Sequence, residues 1–181
     1  MGYTEEVRKQ AEVCARTLNE AGLPVVVLDS YDAAMMRHEY QDWGIELPEI
    51  WTATAFVDDL IKSGRLSPRR EEMSVSYHDG SRLARDLDEH QPARDILTAM
   101  GCEIHEMWQN RRLAKCCGSA VMGQCLPELR DKVASGRWND VKRTPARVLV
   151  AACPQSTEAL QATVPEGYTY RDLFVLLSER I

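Results

Sequence analysis

Apolar and small residues at Val7, Ala11, Cys14, Ala15 and Leu18 recur at helical spacing and predict an amphipathic helix over Thr4 to Ala21, stopped by Gly22. Pro24-Val-Val-Val-Leu28 is a continuous apolar run, the pattern of a strand buried on both faces of a parallel sheet. Asp29-Ser-Tyr-Asp32 ends it and opens a helix to about Tyr40, with Asp29 as cap and Asp32 as a first-turn acid. Trp43 to Pro48 reads as a loop, Ala53 to Ser63 as a second helix closed by Gly64, and Ser67 to Glu72 as a polar connector. Met73 to Tyr77 alternates as a strand and delivers His78-Asp79-Gly80-Ser81 at its end. A helix then runs from Pro92 to Met100, stopped by Gly101, and Cys102 to Met107 reads as a short strand. Ser119 to about Val133 is expected to be helical with a local break at Pro127. Ala146-Arg-Val-Leu-Val-Ala-Ala152 is the clearest buried strand and leads into Cys153-Pro-Gln-Ser156, where Pro154 starts a helix. Tyr170 to Arg180 is expected to be the last helix.

Strands alternating with helices indicate an α/β fold with a mostly parallel sheet flanked by helices. In such sheets sites collect at the carboxyl ends of strands, where three loops are expected to fall: His78 to Ser81, Cys116 with Cys117, and Cys153 to Ser156. There is also an internal echo. Val26–Met35 lies over Val150–Ala159 as apolar strand, turn and helix, with Asp29 and Asp32 in the places of Cys153 and Ser156. Phe56-Val-Asp-Asp-Leu-Ile likewise resembles Leu173-Phe-Val-Leu-Leu-Ser. The expected organisation is therefore a leading half unit over residues 1–66 and a second unit over residues 73–181, packed together as a pseudo-repeat.

Composition narrows the classes. A chain of 181 residues with 44% hydrophobic content can bury its own core. A formal charge of −6 argues against nucleic acid or an anionic membrane as partner. No run of eighteen apolar residues is present, so no membrane insertion is expected. The first residues lack the basic and apolar regions of a signal peptide, and the reading is a cytoplasmic protein. In that compartment its 6 cysteines are ligands, reactive thiols or core residues before they are disulfides. Cys14 and Cys102 are explained by helix and strand patterning, and Cys125 by a predicted helix face.

The chemistry centres on Arg112-Leu-Ala-Lys-Cys-Cys-Gly-Ser-Ala120. Adjacent Cys116 and Cys117 cannot easily bridge each other, because neighbouring Cα atoms are about 3.8 Å apart where disulfides prefer about 5.5 Å. Two thiolates at one point suit a soft metal or cluster, and Gly118 lets the backbone turn sharply beside them. The alternative is a pair of buried apolar cysteines.

The spacing from Ser81 to Cys116 and Cys117 to Cys153, with Ser156 three residues on, resembles the CCG cysteine-rich domain family, whose pattern is Cys, Cys-Cys-Gly, Cys-x-x-Cys. Val75 to Arg85 looks like that family's strand and HDPCHLGR turn, Gln91 to Leu97 like its PRxIL helix, and Cys153-Pro-Gln-Ser156 like its CPxC. Members include the cysteine-rich subunits of heterodisulfide reductases and iron–sulfur subunits of glycerol-3-phosphate and lactate oxidation, usually with two such domains in tandem. The resemblance implies an α/β domain holding a [4Fe-4S] cluster, of noncubane type in heterodisulfide reductase, or zinc. It implies cofactor contacts from Cys116, Cys117, Cys153, Ser81 and Ser156, in an electron-transfer or thiol–disulfide redox subunit of a cytoplasmic oxidoreductase complex. Another polypeptide of that complex would supply the missing first half of the tandem.

Ser81 and Ser156 stand where the pattern has its first and last cysteines, and a hydroxyl is a poor substitute for thiolate. Three thiolates with Asp79, His78 or Cys125 could still complete a four-ligand cluster or zinc site, Asp79 preserving the charge of the missing thiolate. Arg85 and Arg94 match family positions and are expected to bind carboxylates or backbone. The alternative function is a degenerate protein without a cluster, zinc-bound or metal-free, that serves as a structural, partner-binding subunit. On the cluster or zinc reading, the three cysteine sulfurs belong at one end of the sheet, about 4–7 Å apart for metal–sulfur bonds of about 2.3 Å.

Overall fold

A computed structural model describes residues 4–118 and 125–181. Helix α1 (Thr4–Ala21) leads into β1 (Val25–Val27), α2 (Ser30–Arg37), the short α3 (Glu39–Asp42), β2 (Ile50–Thr52) and α4 (Ala53–Lys62). The second part runs β3 (Met73–His78), a π-helical turn (Arg82–Asp86), α5 (Pro92–Ala99), β4 (Cys102–Ile104) and a 3₁₀ turn (Arg111–Leu113). It continues with α6 (Pro127–Val141), β5 (Val148–Ala151), α7 (Pro154–Gln161), β6 (Thr169–Asp172) and α8 (Leu173–Ser178).

Strands β4, β3, β5 and β6 lie side by side in that order, and every pairing is parallel. Strands β1 and β2 form a separate parallel pair. The fold is α/β, as the alternating pattern predicts.

Strand β5 is apolar along its whole length because helices cover both sheet faces. Val150 and Ala152 point into a core with Val75, Tyr77, Ile96, Leu97, Met100, Leu173 and Leu176, between the sheet and α5 and α8. Leu149 and Ala151 point the other way, into Met107, Cys117, Ala134, Trp138, Val141, Ala159 and Leu160 of the α6–α7 side. Trp138 is fully buried there, and its Nε1 donates to the Leu160 carbonyl at 3.1 Å, so the polar edge of the ring is satisfied within the core.

Several expectations change. Strand β1 is half open: Val26 is 43% exposed and Leu28, just past its end, 59%, and β2 is the strand's only sheet neighbour among the described residues. Strand β2 lies between the expected loop and helix, in residues given no element, and strand β6 lies at the start of the stretch read as the last helix. Both are short, and sheet pairing sets them more than propensity does: Ile50 to Thr52 is held by β1 and Thr169 to Asp172 by β5. The π turn after Ser81 was not expected either. The local break expected at Pro127 is present: Cys125 is helical, Leu126 is not, and Pro127 opens α6, as suits a residue with no N–H to offer, with the helix running on to Val141. The expected helical stretch from Ser119 lies partly outside the described residues. Cys125 is exposed, not core.

The two halves share one topology. β1–α2–β2–α4 and β5–α7–β6–α8 are each a parallel strand pair in which the second strand feeds directly into a helix. At that junction Thr52 caps α4 through the Ala55 N–H, and Asp172 caps α8 through the N–H groups of Phe174 and Val175. Asp29 caps α2 through the Tyr31 N–H at 2.7 Å, as expected.

Replacing Asp172 with Ala is therefore expected to cost about 1–2 kcal/mol. Asp29→Asn keeps a capping oxygen and should change stability by less than about 1 kcal/mol. Urea unfolding of the two variants beside the parent measures both.

Candidate functional site

Register decides where the site lies. His78, the last residue of β3, pairs with Ala151, the last of β5, and Ala151 pairs with Asp172 of β6. Because these strands are parallel, His78-Asp79-Gly80 and Ala152-Cys153 leave the same edge side by side. A Cβ built on Gly80 would stand 3.7 Å from the Cβ of Cys153, so the two turns pack in contact.

The Cys116–Cys117 turn joins them from the α6 side. The Cys117 Sγ donates to the Ser156 Oγ at 3.3 Å, inside a pocket where both residues are buried. Cys153, the cap residue of α7, is buried too, and its Sγ accepts from the Ser30 Oγ at 3.5 Å. Cys116 is half-buried on the same turn as Cys117, with its Sγ accepting the Gly118 N–H at 3.3 Å. The half-buried phenol of Tyr170 senses Cys153 and Cys117 alike: burial first, then the charges of Asp172, Cys153 and Cys117, raise its pKa. The CCG turn and the Cys-Pro-Gln-Ser turn thus meet at one sheet edge.

Gly118 is required by two facts. Its φ is +79°, where side chains are strained, and a Cβ there would lie 2.8 Å from the Arg130 carbonyl oxygen of α6. The glycine presses the cysteine turn against the helix backbone.

The remaining candidates are held in other ways. Asp79 is buried, and both its oxygens are engaged. Oδ1 accepts from Arg94 Nη1 at 2.7 Å, and Oδ2 from Arg94 Nη2 at 2.9 Å and from the Arg111 N–H at 2.8 Å. Burial alone would raise this carboxyl, but the Arg94 pair, the Arg111 N–H and His78 outweigh it and hold the pKa below the ordinary value. Arg94 also grips Glu106 with two bonds, of 2.6 and 2.9 Å. Arg85 Nη1 donates to the Ala114 carbonyl at 2.8 Å. Both arginines serve carboxylate and backbone, as expected.

His78 is buried, and its Nδ1 lies 3.1 Å from Arg137 Nε. An arginine can only donate, so Nδ1 carries the lone pair and a neutral ring has its proton on Nε2. Ser81 is half-buried at the head of the π turn, and Cys125 is exposed beside Leu126 and Leu129. Cys14 sits half-buried on α1, and Cys102 is buried under Arg180.

Sequence reasoning missed Ser30 and Arg137. Ser30 lies between Asp29 and Asp32, on the turn that echoes Cys153-Pro-Gln-Ser156, so the echo itself marked it. A second bond crosses there, from Gln155 Nε2 to Asp29 Oδ2 at 3.2 Å. Arg137 lies deep in α6 and had no motif to mark it.

Residues 75–160 match the family model for the CCG cysteine-rich domain. The chain carries a CCG domain. A probable membrane-anchored ferredoxin of Chromohalobacter salexigens is 31% identical over 150 residues, which are 78% of this chain and 22% of that protein. A component of the dihydromethanophenazine:CoB–CoM heterodisulfide reductase of Methanosarcina acetivorans is 33% identical over 130 residues, 67% of this chain and 32% of that one. The probable iron-sulfur-binding oxidoreductase FadF of Bacillus subtilis is 31% identical over 97 residues, covering 52% of this chain and 14% of its own length. The chain therefore spans a third or less of each of these relatives. No helix among the described residues is long and apolar enough to cross a membrane.

The residues at the centre of the CCG domain can be tested against the group this family implies. Among the described residues no three of His, Cys, Asp and Glu stand close enough together to hold a single metal ion. A lone tetrahedral zinc needs its sulfurs within about 4 Å of one another, from Zn–S bonds of about 2.3 Å, and is a poor fit. A multi-iron cluster spreads its ligands further apart. The buried sulfurs, and a buried guanidinium nitrogen of Arg137 that has no hydrogen-bond partner among the described residues, fit an anionic sulfur-bound group of that kind.

Asp79→Asn is expected to destabilise the fold by about 1.5–3 kcal/mol, because it weakens the charge-assisted bonds to Arg94 and the Arg111 N–H while Glu106 still meets the guanidinium. The carboxyl's folded pKa is depressed, so its contribution is complete above the unfolded value of about 3.9 and is lost as pH falls through the folded value. Denaturant unfolding at neutral and acid pH should show the parent and Asp79→Asn converging at low pH. Gly118→Ala should cost about 1–3 kcal/mol from the backbone conformation alone, measured the same way.

Proposed function

We propose that this chain is an iron–sulfur redox component of a heterodisulfide-reductase-like oxidoreductase complex, with Cys117 and Cys153 as the anchoring ligands of a [4Fe-4S]-type cluster and Cys116 as the third. The observation that carries this reading is the meeting of the two cysteine turns: Cys117 reaches Ser156 of the Cys-Pro-Gln-Ser turn while Cys153 lies two residues past the strand end beside His78. Such a cluster, when bound, supplies one-electron redox chemistry. The protein's own part is to present buried sulfurs, keep water away and aim donors at them.

Ser156 and Ser30 fit that work. Each hydroxyl is already at a sulfur, and on a thiolate both can turn their protons towards it, since a hydroxyl rotor donates or accepts as its partner requires. Asp79 and His78 we assign to holding the site in place and not to ligation. The oxygens of Asp79 are taken by Arg94 and Arg111, and the Nδ1 lone pair of His78 is taken by Arg137. Ser81, three residues past the end of β3, offers an oxygen from the same turn, though thiolate would bind iron better.

A place in a larger complex is carried over from the heterodisulfide reductase component among the relatives. The open side of β1, with exposed Val26 and Leu28, is where a strand of the other half of the tandem would pair.

One observation favours the second reading, a scaffold protein that has given up its cluster. The sulfurs of Cys117 and Cys153 already have serine hydroxyls as hydrogen-bond partners within the folded chain. Anaerobic purification with iron, acid-labile sulfide and zinc assays separates the two. The expected result is iron and sulfide in near-equal amounts in the parent, with most of both lost in Cys117→Ser and in Cys153→Ser. A parent that holds neither, and gains a cluster only with Ser81→Cys and Ser156→Cys, would establish the scaffold reading.

A further inference from the structure

The interior holds two arginines near the site, and they are matched very differently. Arg94 is 3% exposed and faces two carboxylates, each gripped by two bonds, so its charge is fully met. Arg137 is 1% exposed and faces one carboxylate, Asp140, whose Oδ2 is 3.3 Å from Nη1. Its other bonds go to neutral acceptors, the Gln109 carbonyl at 3.0 Å and the His78 Nδ1 at 3.1 Å. Its Nη2 is buried with no hydrogen-bond partner among the described residues.

Asp140 is shared as well. Its Oδ1 is 3.0 Å from Lys115 Nζ and 3.8 Å from Arg143 Nη1, so one buried carboxylate serves three cations. The positive charge is left over on the side of the site where Lys115 leads into Cys116 and Cys117. A buried, under-compensated guanidinium is expensive, and such a charge persists where something negative completes it. Burial lowers the pKa of Arg137, Asp140 opposes this, and the next charges to reach it are those of Asp79 and Cys117. Asp79 is already committed to Arg94. That leaves the sulfur site.

We propose that Arg137 is the counter-charge of the cysteine centre, with its Nη2 N–H kept for the anionic iron–sulfur group that Cys117 helps to hold, so that it sets the reduction potential of that group. This rests on the cluster reading above. A fixed positive charge and an N–H donor next to a cluster favour its reduced, more negative form, so they raise the potential. His78 belongs to the same device: by accepting from Nε, it fixes the plane of the guanidinium and hence the aim of Nη2.

The test uses the full chain, purified or reconstituted anaerobically, with Arg137→Met, Arg137→Lys and Asp140→Asn beside the parent. Iron and sulfide are assayed first, and the midpoint potential is then read by a redox titration followed by visible absorption and paramagnetic resonance. Arg137→Met is expected to keep its cluster and shift to a lower potential, and Arg137→Lys to recover part of the shift. Asp140→Asn removes the competing negative charge and should move the potential the other way. This variant keeps the proposal open to refutation if Arg137→Met does not fold, as judged by circular dichroism and thermal melting. Loaded variants with the parent's potential, or the same direction of shift for Arg137→Met and Asp140→Asn, would overturn the assignment of Arg137. A parent without iron and sulfide would overturn the cluster reading instead, and the proposal with it, and the metal assay reports that before any potential is measured.

Discussion

The arrangement depends on the buried pair of Asp79 and Arg94. A carboxylate and a guanidinium, with 1% and 4% of their side chains exposed, are costly to bury unless their hydrogen-bonding capacity is used up. Here it is. Arg94 comes from α5, Asp79 from the end of β3, Glu106 from the stretch after β4, and the Arg111 N–H from the approach to the cysteine turn. Four separate pieces of chain are thereby fixed to one point at the carboxyl edge of the sheet. The sulfurs of Cys117 and Cys153 are positioned against that frame.

Much of this was legible in the sequence, for a physical reason. The long apolar strand at Ala146 to Ala152 and the strand at Met73 carry their own signal, because both faces are covered by helices and nearly every position has to be apolar. Cap residues carry theirs, and Asp29 acts as the patterning suggested. Strands β2 and β6 were not legible. Ile50-Trp-Thr and Thr169-Tyr-Arg-Asp are short, partly exposed and polar in part, and become strands because a neighbour of fixed register lies alongside. They occupy the same place in the two half units, so the internal echo could have exposed the missing strand and the misread one together: a helix following a strand with no loop between needs a cap at the junction, and Thr52 and Asp172 supply it.

The site was legible as far as its cysteines and no further. Spacing and a parallel topology bring Cys117 and Cys153 to one edge. What surrounds them depends on side-chain packing. Asp79 was the natural oxygen to replace a lost thiolate, on charge grounds, yet an acid at a strand end is also the natural mate for an arginine across the sheet edge, and Arg94 takes it. Cys125 is helical as expected, but it lies just before the break at Leu126 and is exposed, so the face assigned to it is not a core face. Arg137 could not be found by any pattern. An arginine among the polar residues of an outer helix looks like solvated surface until the fold buries it.

The leading half unit has no cysteine at its strand end, which on its own would suggest that it has no part in the chemistry. The contacts argue otherwise. Its turn, Asp29-Ser-Tyr-Asp32, faces Cys153-Pro-Gln-Ser156 directly: Ser30 reaches the sulfur of Cys153, and Gln155 reaches back to Asp29. The two turns are the echoing segments, so the half without sulfur supplies a hydroxyl donor and a wall to the half that has it. A donor on a ligand sulfur tunes a centre, and a wall keeps water from it, and neither task requires a thiol. A turn without cysteine, packed closely on the turn that has it, is therefore compatible with a working centre there.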